Sequence, residues 1–273
     1  YGIAIAGVTN INKGSYNGIQ VSGVYNYSGS GNGIAVAGVA NMSKGAYNGI
    51  QVSGVYNYSG SGNGIAVAGV ANTSKGSYNG LQLSGVTNIA GDVKGLQFAG
   101  VMNIAKKVKG VQFATILNVA EESNFPIALI NIIKNGKMGV AITHDILNNK
   151  VLSFRSGGKY SYGILGVGIN KKITEVNKLV AEAGYGIHIP VTDWFEINNE
   201  FKATTIGYNS EKTTNNFGYF LSPSLTLLEH YNFFAGVSVN YFISNSNDIL
   251  PENCFWSKDG DYNQRMFIGY QIG

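Results

Sequence analysis

Apolar and polar residues alternate through the first half of the chain in one recurring phrase. It begins at Gly2, Gly18, Gly33, Gly49, Gly64, Gly80, Gly95 and Gly110, and a degenerate ninth copy begins at Pro126. The copies read Gly-Φ-x-Φ-x-Gly-Val-x-Asn, where Φ is apolar, as in Gly33-Ile34-Ala35-Val36-Ala37-Gly38-Val39-Ala40-Asn41, and the pattern loosens near the end, where Thr115 replaces the second glycine of the eighth copy. Alternate β-branched residues bounded by Gly, Asn, Ser and Lys predict one strand and one turn per copy. A helix is excluded, because two glycines in nine residues would cost roughly 2 kcal/mol against alanine. Residues 18–48 are repeated almost unchanged in residues 49–79, so the duplicated segment holds two copies of the phrase.

Two architectures fit such a unit. In an antiparallel meander closed into a barrel, the duplicated segment is a hairpin, "GIQVSGVYN" runs up and "GIAVAGVAN" runs down. In a β-solenoid each unit is one coil and the asparagines stack. The alternation of two unit types favours the meander. So does strand length: nine or ten residues tilted by ~40° span roughly 25 Å, enough for a membrane. One feature favours the solenoid. Strict alternation from Ile34 and Val36 would next reach Gly38, yet the following apolar residue is Val39, which fits a corner at Gly38.

Beyond the repeats the pattern predicts eight further strands, near 138–145, 150–156, 160–169, 179–190, 194–206, 217–228, 232–243 and 264–272. Their connections alternate between short ("SGGK", "VTD", "EHY") and long ("NKKITEVNK", "YNSEKTTNN" and the segment 244–263). Tight turns alternating with long loops is the pattern of a bacterial outer-membrane barrel. The final strand, "RMFIGYQIG", is similar to the terminal strand of such barrels, although Gly273 rather than an aromatic residue stands last. The expected fold is therefore all-β, an antiparallel up-and-down transmembrane β-barrel of about 16–18 strands with hairpin repeats. It forms a single barrel over residues 1–273, with repeat strands in 1–134 and non-repeat strands with longer external loops in 135–273. The alternative is an N-terminal β-solenoid followed by an eight-stranded membrane barrel. Nine repeat strands and eight others make an odd number, where even numbers are usual. That implies either a strand upstream of Tyr1, with the chain starting inside a repeat at a processed or truncated end, or the split architecture.

Composition sharpens this picture. Charged residues are 12% of the chain, about half the usual share, while there are 38 glycines and 17 tyrosines. Before Asp92 the only charges are Lys13, Lys44 and Lys75, each in the same kind of turn. Net charge is +4, with Arg155 and Arg265 the only arginines, which disfavours a nucleic acid as partner. Cys254 is alone, so no disulfide framework or zinc spacing exists. No apolar run reaches the ~18 residues of a membrane helix.

The segment "GLQFAGVMNIAKKVKGVQFATILNVAEESNFPIALINIIKNGK" (residues 95–137) resembles the surface-repeat outer-membrane β-barrel proteins of Bacteroidota-type bacteria. The repeat resemblance covers about half the chain. It implies an outer-membrane location in a Gram-negative bacterium, and it brings no established activity and no catalytic residues. The expected partners are outer-membrane lipids, including lipopolysaccharide, and other outer-membrane proteins.

Candidate functional residues follow from the barrel reading. Gln51, Ser53, Asn57, Gln82, Ser84 and Asn88 are small or neutral polar groups on the face opposite Ile and Val, and are expected to face a water-filled pore. Tyr25, Tyr27, Tyr56 and Tyr58 at one rim, and Tyr16, Tyr47 and Tyr78 at the other, form the expected aromatic girdle. Catalytic readings are weak. His144-Asp145 with Ser153 is better read as a strand-end pair, and His188 and His230 as interfacial residues. Trp194 reads as an interface anchor and Trp256 as a loop aromatic. The turn "SGSGNG" lacks the Lys and helix of a phosphate loop. Asp248, Glu252, Asp259 and Asp261 read as a solvated acidic loop. No enzyme and no cofactor are expected. The functions that fit are a passive channel for small solutes, a structural component of an outer-membrane assembly, or a surface-exposed repeat adhesin or binding protein anchored by a small C-terminal barrel.

Overall fold

A computed structural model describes residues 2–172, 178–207, 214–228, 231–246, 249–251 and 253–273. The chain divides into two compact units, Tyr1–Gly136 and Lys137–Gly273.

The first unit is a parallel sheet structure of solenoid type. Its strands are β1 (Gly2–Ala6), β2 (Thr9–Ser22), β3 (Tyr25–Ala37), β4 (Ala40–Ser53), β5 (Tyr56–Ala68), β6 (Ala71–Ser74) and β7 (Tyr78–Ser84). They continue as β8 (Thr87–Ile89), β9 (Val93–Ala99), β10 (Met102–Ile104), β11 (Lys107–Ala114), β12 (Leu117–Ala120), β13 (Glu122–Ile127) and β14 (Ile130–Ile133). All pair in parallel, with each copy of the phrase in register on the next: Gly18 on Gly33, Gly33 on Gly49, Gly49 on Gly64 and Gly64 on Gly80. The expected hairpins and the barrel of about 16–18 strands are thereby corrected. Each copy is one coil, and the solenoid alternative describes this half.

One coil consists of a first segment (Gly-Φ-x-Φ-x), a Gly-Val corner, a second segment (x-Asn-x-x) and a return corner. At the Gly-Val corner the backbone bends, and the amides of Val39 and Ala40 both donate to the Val24 carbonyl. Gly38 and Val39 therefore both face outward, which accounts for the break in alternation. The inner positions hold Ala, Gln, Ser and Asn, while the outer positions hold Ile, Val, Leu and Phe.

Why two unit types alternate is answered at the return corner. A Cβ on Gly31 would lie 2.4 Å from the Tyr47 ring, and one on Gly62 would lie 2.3 Å from the Tyr78 ring. Neighbouring strands are only ~4.8 Å apart. An inward tyrosine is thicker than one coil allows and borrows the space left by the glycine of the coil before it. The period is thus two coils because of packing, not because strands reverse. The extra residue of the tyrosine coils is absorbed as a register shift at the same corner, between Ser43 and Ala46.

The second unit is an eight-stranded antiparallel barrel. Its strands are β15 (Lys137–Asp145), β16 (Asn149–Gly157), β17 (Ser161–Asn170), β18 (Leu179–Pro190), β19 (Phe195–Ile206), β20 (Thr214–Leu227), β21 (Tyr231–Ser244) and β23 (Asn263–Ile272). Each pairs with its neighbour, and β15 closes onto β23 through His144↔Ile272 and Asp145↔Gln271. A short strand, β22 (Trp256–Lys258), lies along β23. All eight strands predicted from the pattern are present. No helix among the described residues is long and apolar enough to cross a membrane, which does not bear on strands.

Candidate functional site

The barrel is inverted relative to a water-soluble one. Val140, Val167, Phe201, Val237 and Ile268 point outward and are 55–69% exposed. The inward positions of β19 carry Glu196, Asn198, Glu200, Lys202 and Thr204, all buried. Lys202 is 1% exposed and Glu200 fully enclosed. A charge can be enclosed only where it is paired and hydrogen-bonded. Lys202 Nζ lies 3.0 Å from Glu182 Oε2, sits 4.2 Å over the Phe220 ring and also donates to Gln271 Oε1. Arg155 Nη1 donates to Glu200 Oε1 at 2.6 Å, and the Tyr162 hydroxyl donates to the same oxygen at 2.6 Å. The Arg155 guanidinium also lies 4.5 Å from the Phe234 ring centre.

These groups come from β16, β17, β18, β19 and β23. The polar cluster therefore links strands across the barrel by charge-assisted bonds, and it lies in the same unit as a buried apolar cluster that includes Val151, Val180, Ile206, Phe242 and Phe267. Two cations, Arg155 and Lys202, meet two carboxylates, Glu182 and Glu200, so the cluster is charge-balanced. Nearer the short-turn end, Lys137 lies 3.2 Å and His188 lies 3.3 Å from Glu196, and the His188 ring stacks on Tyr162 at 4.2 Å.

The cluster holds no assembled nucleophile and base. His144 Nδ1 is 3.1 Å from the Asn149 carbonyl, and Ser153 Oγ donates to the Ala141 carbonyl at 3.5 Å. Asp145 accepts from both the amide and the side chain of Asn149, at 3.0 and 2.8 Å, and so caps the β15–β16 turn. His188 turns out to be a barrel-interior residue. Among the described residues no group of three or more His, Cys, Asp or Glu side chains could hold a metal. Asp259 pairs with Arg265, and Trp194 and Trp256 are exposed. His230, Asp248 and Glu252 lie outside the described residues.

The polar residues assigned to a pore lie elsewhere. Gln51, Ser53, Asn57, Gln82 and Asn88 are buried inside the repeat unit, and Ser84 is half-buried there. Parallel stacking places each against the equivalent position of the next coil, Gln51 on Ala66, Ser53 on Ala68 and Asn57 on Asn72, rather than around a lumen. The asparagines form a continuous ladder. Asn41 Nδ2 donates to Asn57 Oδ1, Asn57 to Asn72 and Asn72 to Asn88, each at 2.9 Å. The ladder runs from Asn10 to Asn131. Each amide also reaches a first-segment carbonyl, as Asn72 does to Ala66 of its own coil at 3.2 Å and to Leu83 of the next at 2.6 Å. Glutamines make a shorter ladder, Gln112 donating to Gln97 and Gln97 to Gln82.

The girdle assignment divides. Tyr47 and Tyr78 are 5% and 4% exposed, pack inward, and have hydroxyls pushed well above the usual phenol range by burial. Tyr16 is half-buried, its hydroxyl 2.8 Å from both the Gly2 and the Ile19 carbonyl oxygens, to either of which its one proton can be donated. Tyr25, Tyr27, Tyr56 and Tyr58 lie half-exposed on the outer side of the second segment. Parallel coils put equivalent tyrosines on one side of the stack, so two opposed rims do not arise in this unit.

Residue-by-residue reading missed the barrel cluster. Its signal was present in "EINNEFKAT", where the even positions 196, 198, 200 and 202 are all polar and the strand is otherwise apolar or neutral. No protein-family model matches the chain, and neither curated proteins nor solved structures give a significant match.

The ladder predicts its own sensitivity. Asn72→Ala leaves the Asn57 amide, the Asn88 carbonyl oxygen and the Leu83 carbonyl each short of a buried partner, a loss of about 3 kcal/mol. Urea unfolding of the full chain in detergent should show it as a lowered midpoint of the repeat transition, with the barrel transition unmoved.

Proposed function

We propose that this is an outer-membrane β-barrel protein in which the C-terminal barrel anchors a stack of repeats, serving as a structural component of an outer-membrane assembly. The observation that carries the reading is the inverted barrel, with an apolar outer face around buried Arg155, Glu182, Glu200 and Lys202. Barrel strands of ten or so residues, tilted by ~40°, give an apolar band of roughly 25 Å, the height such barrels present to lipid. Side chains fill the interior, which supports an anchor over a passive channel.

The test is refolding the full chain into vesicles of phosphatidylcholine with phosphatidylglycerol. The reading expects a species that migrates differently on gels before and after heating, and a protease-resistant fragment containing β15 to β23. It also expects no steady conductance in planar bilayers. A chain that folds and stays dispersed in water without lipid or detergent would defeat the reading, and a steady conductance would favour the channel.

A further inference from the structure

The repeat unit segregates its charges along one edge. Residues 1–136 contain eight lysines, two glutamates and one aspartate, with no arginine, a balance of 8 − 3 = +5. Every one lies at or beside the return corner: Lys13, Lys44 and Lys75, then Asp92 and Lys94, and the later charges up to Lys134. Some are paired there, as in Lys107–Glu122 at 2.8 Å, but the corner stays basic.

The opposite corner carries no charge. Val24, Val39, Val55, Val70, Val86 and Val101 stand there in successive coils, each 38–43% exposed. Stacked at ~4.8 Å, eight such corners make an apolar ridge about 34 Å long. The outer faces of the first segments continue it, with Ile34, Ile50 and Ile65 exposed. Apolar ridges of this extent mark an interaction surface.

Two quantities choose the occupant. Five residues separate the glycine of the return corner from the Gly-Val corner, so the uncharged part is about 17 Å deep. One leaflet of a bilayer has a hydrocarbon depth of about 15 Å. In the coils flanked on both sides, backbone amides and carbonyls are paired along the stack, so entry into hydrocarbon leaves few unsatisfied. A basic rim beside an apolar wedge also complements anionic headgroups.

We infer that the repeat unit inserts its valine edge into one leaflet of a lipid bilayer, with the lysine corner at the level of anionic headgroups. This goes beyond the barrel anchor, because it makes the repeats a second lipid contact. The test uses the full chain with Cys254→Ser, refolded in vesicles of phosphatidylcholine and phosphatidylglycerol, carrying a bimane label at one introduced cysteine. Val70→Cys and Val39→Cys report on the ridge, Ser77→Cys on the return corner and Val237→Cys on the barrel wall. Val70 and Val39 should be quenched by brominated phospholipid and shielded several-fold from aqueous iodide, with Ser77 the reverse. Iodide quenching at Val70 equal to that at Ser77 would overturn the inference. So would shielding at Val70 from both quenchers, which would assign the ridge to a protein partner or a second copy. Val237 keeps the two readings separate: quenched there but not at the ridge, the anchor survives alone.

Discussion

Gly49→Ala will abolish hydrogen-exchange protection of the coils around it while leaving the barrel strands protected. Gly49 has φ +128°, and a Cβ there would lie 2.0 Å from the Gly33 carbonyl oxygen and 2.9 Å from its carbon. The obstacle is backbone, so no rotamer change relieves it. Moving the coil away would break the parallel hydrogen bonds on both sides and stretch the asparagine ladder. The expected loss is at least ~4 kcal/mol, at the far end of single-residue effects. Gly14→Ala is the matched control. Its Cβ would meet only the Asn12 side chain, at 3.6 Å, and the expected change is within about 0.5 kcal/mol. Exchange mass spectrometry of the full chain in detergent reads both. Retained protection in Gly49→Ala would refute the tight parallel stacking.

Lys202→Ala will lower the temperature at which the barrel loses its compact gel mobility. The substitution removes the cation 3.0 Å from Glu182, whose other carboxylate oxygen has no hydrogen-bond partner. An enclosed carboxylate left without its cation costs about 3–5 kcal/mol. Adding Glu182→Gln to Lys202→Ala should recover a large part of this loss, because the stranded charge goes with it. If the double variant were as unstable as the single one, the cost would lie in lost side-chain volume beside Phe220.

How much of this was legible in the chain differs between the halves. In residues 137–273, alternation and turn composition located all eight barrel strands, because an antiparallel strand with one apolar face carries its period in plain view. In residues 1–136 the same alternation located each first segment, and the Gly38-Val39 break marked the corner. Strand direction was not legible. A hairpin and a pair of coils both repeat after two units, and the alternation of Tyr47 with Gly62 looked like up and down strands. It reflects instead the thickness of an aromatic ring against the spacing of coils. The pore residues were misplaced for the same reason: inward polar groups such as Gln51 and Asn57 suit a wet lumen or a ladder, and direction alone separates the two.

The local pattern settled that the chain is strand and turn throughout, where each repeat bends, and which side chains share a face, since these depend on neighbours within a few residues. Parallel or antiparallel pairing depends on contacts fifteen or more residues apart. So does the meeting of Arg155 with Glu200 and of Lys202 with Gln271, because these partners come from strands that are not neighbours and approach only once the barrel closes, whereas Glu182 meets Lys202 across the adjacent pair β18 and β19. The inversion joins the two levels: alternation says that the two faces differ, and closure of coil and barrel decides which face is inside.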